Sequence, residues 1–141
     1  CELITGRCSA FATGIVDNEE IDRVNILQAT MVAMRSAVEA LGSRPDLVLV
    51  DGDRSPEIDL PCRPVIGGDR RSFAVAAASI VAKVTRDRIM RRMHIRWPSY
   101  GFEWNKGYAT REHLEAIKRF DSCPLHRRSF RPCSFEVPGS L

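Results

Sequence analysis

Apolar residues recur at alternating spacings of three and four over residues 24–41, which predicts an amphipathic helix with a single core-facing stripe. Asp17 precedes this segment as an N-cap candidate, and Glu20 follows three residues later as its capping-box partner. Gly42 comes directly after the last apolar position and predicts the end of the helix. The residues of the stripe are Val24, Leu27, Met31, Met34, Val38 and Leu41.

Three short runs rich in apolar residues predict strands. Residues 47–50 (LVLV) are continuously apolar, which predicts a strand covered on both faces, and they end at Asp51. A proline-bearing loop leads to a second strand near residues 64–66, followed by two glycines and Asp69. Residues 9–16 (SAFATGIV) predict a further short strand. Because strands alternate with helices, we expect an α/β domain.

The second half of the chain is predicted to be mostly helical. Ser72 is a cap candidate for a helix over residues 73–93, whose first half holds small residues and whose second half is basic. Residues 98–109 form a loop rich in glycine and aromatic residues. Thr110 then caps a last amphipathic helix, and an irregular tail begins at Asp121. The residues expected to face inward from that helix are Leu114, Ile117 and Phe120.

Composition and charge narrow the class of protein. The chain has 141 residues, 44% hydrophobic and 28% charged, as expected for one globular domain. It has neither a run of about 18 apolar residues nor a signal-peptide pattern at its N-terminus, so no membrane span is predicted. The net charge is +3, but residues 63–131 carry 16 Lys and Arg against 6 Asp and Glu. This asymmetry favours a polyanionic partner or, equally, a set of solvated helix faces.

The five cysteines are odd in number and unevenly spaced, which favours a reducing, cytoplasmic compartment over a disulfide framework. Cys123, His126 and Cys133 are of metal-ligating types. Their spacing fits no compact zinc site, so we expect no structural zinc.

Two segments could carry chemistry. Asp51 and Asp69 follow neighbouring predicted strands, where two carboxylates could converge on Mg²⁺ or Mn²⁺; alternatively, each acid only begins a turn. Residues 105–110 (NKGYAT) combine a cation, a glycine, an aromatic ring and a hydroxyl, a set that can hold a phosphate and stack on a base. The alternative for Tyr108 is a tyrosine at the edge of the core.

Seven stretches of the sequence resemble the signature segments of bacterial ribonuclease HII, in the same order and at similar spacings. They are residues 20–31 (EIDRVNILQATM), 48–52 (VLVDG), 68–69 (GD), 77–87 (AASIVAKVTRD), 100–102 (YGF), 105–110 (NKGYAT) and 126–130 (HRRSF). One such stretch would be weak support, but seven in register are specific.

The resemblance implies a ribonuclease H-like mixed sheet flanked by helices, with a helical C-terminal part over residues 98–141 that contacts the substrate. It implies an endonuclease that cleaves RNA within RNA–DNA hybrids, and at single ribonucleotides in duplex DNA, with Mn²⁺ or Mg²⁺ as cofactor. Asp51 and Asp69 match the third and fourth catalytic, metal-binding carboxylates of the family, and Tyr108 matches the tyrosine that stacks beside the ribonucleotide. Further candidates for substrate contacts are Lys83, Lys106, Thr110, Arg127 and Arg128.

The sequence also departs from the family. An Asp-Glu pair on the first strand, a Gly-Arg-Gly loop and a lysine pair are typical of ribonuclease HII, and none occurs in these residues. We therefore expect a partial catalytic domain that lacks its opening strands, with very weak or absent catalysis and an apolar sheet edge liable to associate. The alternatives are a catalytically silent module that binds hybrid or duplex, and a non-functional fragment. Neither a membrane nor an obligate protein partner is expected.

Overall fold

The computed structural model describes residues 1–130 and residue 133. Contacts divide the chain into two compact units: a first unit of Cys1–Val16 and Val24–Thr85, and a second unit of Asp17–Arg23 and the chain from Arg86 onward. The elements are α1 (Glu2–Thr5), α2 (Asn18–Val24), α3 (Ile26–Glu39), β1 (Val48–Asp51), β2 (Cys62–Val65), α4 (Gly68–Arg71), α5 (Phe73–Arg96), a 3-10 turn (Pro98–Tyr100), α6 (Phe102–Asn105) and α7 (Arg111–Phe120).

Strands β1 and β2 pair in parallel, with Val48 opposite Cys62 and Asp51 opposite Val65. Both strands fall within a residue or two of the apolar runs that predicted them, and the α/β class is confirmed. Over the described residues these two strands are the whole sheet. The residues of the first unit that are buried and apolar are Ala29, Val50, Val75 and Val81.

The helix predicted up to Leu41 is two helices, because the chain breaks at Asn25. Asn25 has φ 70° and ψ 164°, which no helix can contain, and its side-chain oxygen accepts hydrogen bonds from the amides of Leu27 and Gln28 at the start of α3. The predicted cap at Asp17 is confirmed, since its carboxylate accepts the Glu20 amide at 2.8 Å. The Glu20 side chain pairs with Arg23 at 2.5 Å instead of completing a capping box.

The strand predicted at residues 9–16 is wrong, because that segment is irregular. Phe11 and Ile15 of this segment are exposed, and the segment approaches a helix at Gly14 instead of joining a sheet. Gly14 lies so close to the backbone of α3 that a Cβ atom there would be 1.8 Å from the Ala33 carbonyl oxygen. A strand needs a neighbouring backbone free to accept its hydrogen bonds, whereas the carbonyl groups within a helix are already paired.

Helix α5 begins as predicted and continues to Arg96. No helix in the described part of the chain is both long enough and apolar enough to span a bilayer. The predicted loop over residues 98–109 is partly wrong, because it holds the 3-10 turn and α6. Residue Tyr100, expected in that loop, is buried, and its hydroxyl donates to the carbonyl oxygens of Phe120 and Asp121 at 3.2 and 2.9 Å.

Helix α7 begins after Thr110, whose hydroxyl accepts the His113 amide, as the sequence predicts for an N-cap. Ile117 is buried, but Phe120 is 48% exposed, so its predicted inward position is wrong. His113 is buried on this helix, and its ring packs against the rings of Tyr100 and Phe102. The buried apolar cluster of the second unit consists of Tyr100, Phe102, Ile117 and Cys123.

Candidate functional site

Asp51 is the last residue of β1, and its carboxylate is exposed at the carboxyl end of that strand. Its Oδ1 accepts a hydrogen bond from the Gly68 amide at 2.8 Å, which ties the end of β1 to the start of α4. Asp69 follows Gly68 in the first turn of α4 and is also exposed. The first unit therefore brings Asp51 beside the residue that precedes Asp69.

The close approach at Gly68 depends on a small side chain. A Cβ atom on Gly68 would be 3.2 Å from the Val75 Cγ1 atom and 3.5 Å from Asp51 Oδ1. Gly67 precedes it with φ 64°, a left-handed conformation that favours glycine. The two glycines before Asp69 thus let the chain turn sharply past the Asp51 carboxylate.

Carboxylates are ligands that a hard divalent cation prefers, and Asp51 and Asp69 are both exposed. One oxygen of Asp51 accepts the Gly68 amide. Among the residues that the structure describes, no group of three or more histidine, cysteine, aspartate or glutamate side chains could hold a metal ion. The role of Asp51 and Asp69 as ligands of Mg²⁺ or Mn²⁺ therefore stays a prediction from the sequence.

The loop that carries Tyr108 is built around the buried side chain of Asn105. The Asn105 amide nitrogen donates to the Tyr100 carbonyl at 2.7 Å, and its Oδ1 accepts the Gly107 amide at 2.8 Å. The Tyr108 amide donates to the Asn105 carbonyl at 2.8 Å. Lys106 and Gly107 both have positive φ, 51° and 78°, so a tight turn presents Tyr108.

Tyr108 is 63% exposed, so its ring is not a core ring. The Arg86 guanidinium lies 5.0 Å from the centroid of this ring, and one of its nitrogens donates to the Lys106 carbonyl at 3.0 Å. Arg86 thereby supports the loop and places a cation against one face of Tyr108. Within the second unit this forms a surface on which a base or sugar can stack beside a positive charge.

Arg127 is a second arginine of this unit that contacts an aromatic ring. Its guanidinium lies 3.7 Å from the centroid of the Phe130 ring. Burial lowers the pKa of Arg127, the like charge of Arg86 lowers that pKa further, and the Asp22 carboxylate opposes this effect. A guanidinium held against a ring can still donate hydrogen bonds to an anion such as phosphate.

The other site residues predicted from the sequence either lie exposed on the surface or already have backbone partners. Lys83 is exposed on α5 within the first unit. The Lys106 ammonium group donates to the Glu103 carbonyl, and the Thr110 hydroxyl serves as the N-cap of α7. Arg128 is exposed next to Arg127.

Two residues of the second unit belong with the candidate site although the sequence reasoning did not select them. Asn105 shapes the Tyr108 loop through its hydrogen bond to the Gly107 amide. Arg86 contacts that loop at two points, the ring of Tyr108 and the carbonyl oxygen of Lys106. Both lie inside stretches that carry the family resemblance, which was the available signal. Arg86 contacts a residue 20 positions away in the sequence, and Asn105 makes its hydrogen bonds within a turn. The periodicity of apolar residues reveals neither kind of contact.

Comparison with known proteins gives consistent results. The family model described as Ribonuclease HII matches residues 3–133. A Chlorobium luteolum protein named Ribonuclease HII is 51% identical over 129 residues, which cover 91% of this chain and 62% of that protein. A Polaromonas protein of the same name is 56% identical over 114 residues, covering 81% of this chain and 57% of that protein. A third, from Clostridioides difficile, is 48% identical over 92% of this chain and 51% of its own length.

The chain thus spans between half and two thirds of the length of these relatives. The family match nevertheless runs through nearly all of the chain, including both acids of the first unit and the Tyr108 loop of the second. With that extent of match and these identities, the chain belongs to the ribonuclease HII family.

Proposed function

We propose that this family member serves as a divalent-metal-dependent endonuclease that hydrolyses the RNA strand of RNA–DNA hybrids and cleaves at single ribonucleotides in duplex DNA. Family membership supports the reaction class. The observation that carries the proposal is that the Asp51 carboxylate lies against Gly68, the residue before Asp69, with both acids exposed. A nuclease needs hard oxygen ligands open to a phosphate, and these two acids provide them.

In this proposal Asp51 and Asp69 would hold Mg²⁺ or Mn²⁺. When bound, the metal would position a water molecule and neutralise charge on the scissile phosphate. The water oxygen forms a new bond to phosphorus, and the bond from phosphorus to the ribose O3′ breaks. O3′ leaves with a proton as a 3′-hydroxyl, and the downstream strand keeps a 5′-phosphate. The Gly68 amide fixes one Asp51 oxygen, so that the carboxylate keeps a defined orientation.

The second unit would supply substrate contacts. The exposed ring of Tyr108 can stack on a sugar or base, and the guanidinium groups of Arg86, beside Tyr108, and of Arg127 can each contact a backbone phosphate. Recognition of RNA within the duplex would rest on the ribose 2′-hydroxyl, which DNA lacks. Lys83, Lys106, Thr110 and Arg128 remain proposed contacts of lesser weight, since Lys106 and Thr110 already have backbone partners.

The metal part of the proposal can be tested on the chain without turnover. Binding of Mn²⁺, followed through its electron paramagnetic resonance signal, is expected to weaken at least about tenfold in Asp51→Asn and in Asp69→Asn, because each change removes a charged ligand. Asp53→Asn is the matched control, since Asp53 is an exposed acid two residues beyond Asp51. Equal Mn²⁺ binding by all four proteins would contradict the assignment of the two acids.

Cleavage is tested on the same four proteins with an end-labelled RNA–DNA hybrid and a DNA duplex containing one ribonucleotide. We expect turnover by these 141 residues alone to be very low, because two acids are few ligands for the ions of such a site. Any turnover should disappear in Asp51→Asn and persist in Asp53→Asn. Cleavage that survives in both Asp51→Asn and Asp69→Asn would overturn the proposed role of the acids.

A second candidate function is binding of hybrid or duplex without cleavage. It is favoured by one observation, that the contact of Arg86 with Tyr108 and the side chain of Arg127 belong to a single unit. Tyr108→Ala is expected to weaken hybrid binding by about 5- to 100-fold, while Tyr108→Phe keeps the ring and binds nearly as the wild type. Salt-dependent binding with no cleavage at high Mn²⁺ would favour this function over the first.

A further inference from the structure

Asp22 makes a set of contacts that no role described above requires. It lies in α2, and its carboxylate accepts hydrogen bonds from the amides of Arg128 and Ser129 at 2.7 and 3.0 Å and from the Ser129 hydroxyl. These residues are separated from Asp22 by more than 100 positions in the sequence. One side chain thus satisfies three donors of a single short turn.

The same helix holds the preceding part of that turn. The Asn18 side-chain nitrogen donates to the Pro124 carbonyl at 2.9 Å and to the His126 carbonyl at 3.4 Å. Asn18 and Asp22 are four residues apart, so they lie on one face of α2. Helix α2 therefore fixes residues 124–129 from both ends, through a donor at Asn18 and an acceptor at Asp22.

The charge state of Asp22 suits this role. Partial burial raises the pKa of Asp22, but the hydrogen bonds from Ser129 and Arg128 and the positive charge of Arg127 outweigh that effect, so the pKa lies below its usual value. The carboxylate is therefore ionised at neutral pH, and hydrogen bonds to an ionised acceptor are stronger than those between neutral groups.

Arg127 lies inside the fixed segment. Its guanidinium lies 3.7 Å from the centroid of the Phe130 ring, which supports it from one side. A guanidinium that contacts a phosphate from a defined direction needs a backbone that keeps its position. The contacts of Asp22 to the two amides directly after Arg127 meet that need.

We propose that Asp22 is a positioning residue for nucleic-acid binding, which holds the backbone after Arg127 so that the Arg127 guanidinium contacts a backbone phosphate. The inference rests on the proposed binding of hybrid by the second unit. Asp22 does not touch the substrate itself. Its contribution is transmitted through the position of the Arg127 guanidinium.

If Asp22 positions Arg127, removal of its carboxylate should change the affinity for nucleic acid in the direction opposite to the one that charge alone predicts. Removal of the Asp22 carboxylate makes the chain more positive, which by electrostatics alone should strengthen binding to a polyanion. Loss of a positioned phosphate contact should weaken binding and lower the dependence of affinity on salt. Weaker binding after the removal of a negative charge therefore distinguishes positioning from charge.

The experiment uses the full 141-residue chain and a fluorescently labelled RNA–DNA hybrid, with anisotropy measured over a range of NaCl concentrations. Asp22→Ala is expected to weaken binding about tenfold and to lower the slope of log affinity against log salt by about one, as expected for one lost phosphate contact. Glu19→Gln is the matched control, because Glu19 is an exposed acid on the same helix. We expect it to bind as tightly as the wild type or slightly more tightly.

A double-mutant cycle tests whether Asp22 acts through Arg127. Arg127→Ala should reproduce the loss of affinity and the lower salt slope, and Asp22→Ala/Arg127→Ala should bind no more weakly than Arg127→Ala alone. Ser129→Ala removes one of the three hydrogen bonds and should give a smaller shift in the same direction. Ser129→Ala also decides the question if circular dichroism shows that Asp22→Ala does not fold.

Two failures are distinguishable. If the wild-type chain does not bind the hybrid at all, the proposed binding function of the second unit is wrong. If the wild type binds and Arg127→Ala weakens it, but Asp22→Ala and Ser129→Ala keep wild-type affinity and salt slope, the role of Asp22 is overturned. Additive losses in the double mutant would equally contradict an action through Arg127.

Discussion

His126 is buried beside a second histidine, and only one of its ring nitrogens has a hydrogen-bond partner in the described part of the chain. Its Nδ1 accepts the Cys123 amide at 2.9 Å, and its Nε2 is buried without a partner. The rings of His126 and His113 are stacked with centroids 5.3 Å apart. Burial lowers the pKa of His126, the backbone of Cys123 opposes this, and the nearby His113 lowers the pKa further. The ring is therefore neutral in the folded protein at neutral pH.

The first prediction concerns the dependence of stability on pH. Because the pKa of His126 is lower in the folded than in the unfolded chain, the unfolded chain binds the proton first as the pH falls. Stability is then lost as the pH falls from about 6.5 towards the lower pKa of the folded state. His126→Gln should destabilise the protein most above about pH 6.5, and less near pH 5.

Urea unfolding at a series of pH values measures this effect. His94→Gln is the control, because His94 is a partly buried histidine of the same unit whose Nδ1 is also buried without a partner among the described residues. We expect this variant to keep the wild-type loss of stability on acidification. Equal pH dependence in the wild type and in His126→Gln would show that His126 is not the responsible group.

At the scale of elements, the apolar pattern predicted helical structure over residues 24–41, but neither the break in the backbone nor the residue that is buried. The stripe from Val24 to Leu41 was interpreted as part of one helix, and the structure has two helices that meet at Asn25. Leu27 of the stripe is 38% exposed, whereas the buried residue of α3 is Ala29, which is not on the stripe. The backbone angles of one asparagine leave no trace in the spacing of apolar residues, and that spacing does not show how closely other segments cover the helix.

The second prediction follows from the unusual backbone at Asn25. With φ 70° and ψ 164°, Asn25 lies in a region that is essentially restricted to glycine, and its side chain compensates by capping α3. Asn25→Ala loses the cap and keeps the strain that the wild type already carries, so we expect a loss of about 1 kcal/mol in the free energy of unfolding. Asn25→Gly also loses the cap but removes the strain, and should cost only a few tenths of a kcal/mol. Chemical denaturation measures both variants, and equal losses would contradict the assignment of strain.

The third prediction concerns the segment over α3, which the sequence misassigned as a strand. Gly14→Ala would place a Cβ atom 1.8 Å from the Ala33 carbonyl oxygen, so the segment must shift away from the helix. We expect a loss of stability of about 2 kcal/mol or more. Gly42→Ala is the matched control, because a Cβ there meets nothing within 4 Å, and it should leave stability unchanged or slightly raised. Similar melting temperatures for the two variants would show that the segment does not pack as closely as described.

At the scale of the whole molecule, the sequence predicted single residues of the candidate site but not the groups that support them. Asp51, Asp69 and Tyr108 could be selected because each follows a strand or lies in a distinctive loop. Asp22 could not be linked to Ser129, since their contact joins residues 107 positions apart and exists only in the folded chain. The resemblance to a family identified the sequence segments that carry the candidate site. Only the tertiary contacts show which of these segments lie against each other in the folded chain.

The last prediction concerns the unequal exposure of apolar side chains in the two units. Among the described residues, ten of the fifteen large apolar side chains that are at least about a third exposed belong to the first unit, including Phe73 at 88% and Ile66 at 73%. A net charge of only +3 provides little repulsion between copies. We therefore expect concentration-dependent self-association, seen by analytical ultracentrifugation, and binding of a hydrophobic dye.

Two matched variants locate the responsible surface. Ile66→Thr should reduce both self-association and dye binding, because it replaces an exposed apolar side chain of the first unit by a smaller β-branched side chain that carries a hydroxyl. Ile95→Thr makes the same change at an 83% exposed position of the second unit and should leave association nearly as in the wild type. If the wild-type chain instead sediments as a monomer at all concentrations and melts cooperatively, the apolar surface of the first unit does not drive association. If both variants weaken association equally, apolar exposure in general is the cause, and the first unit has no special part in it.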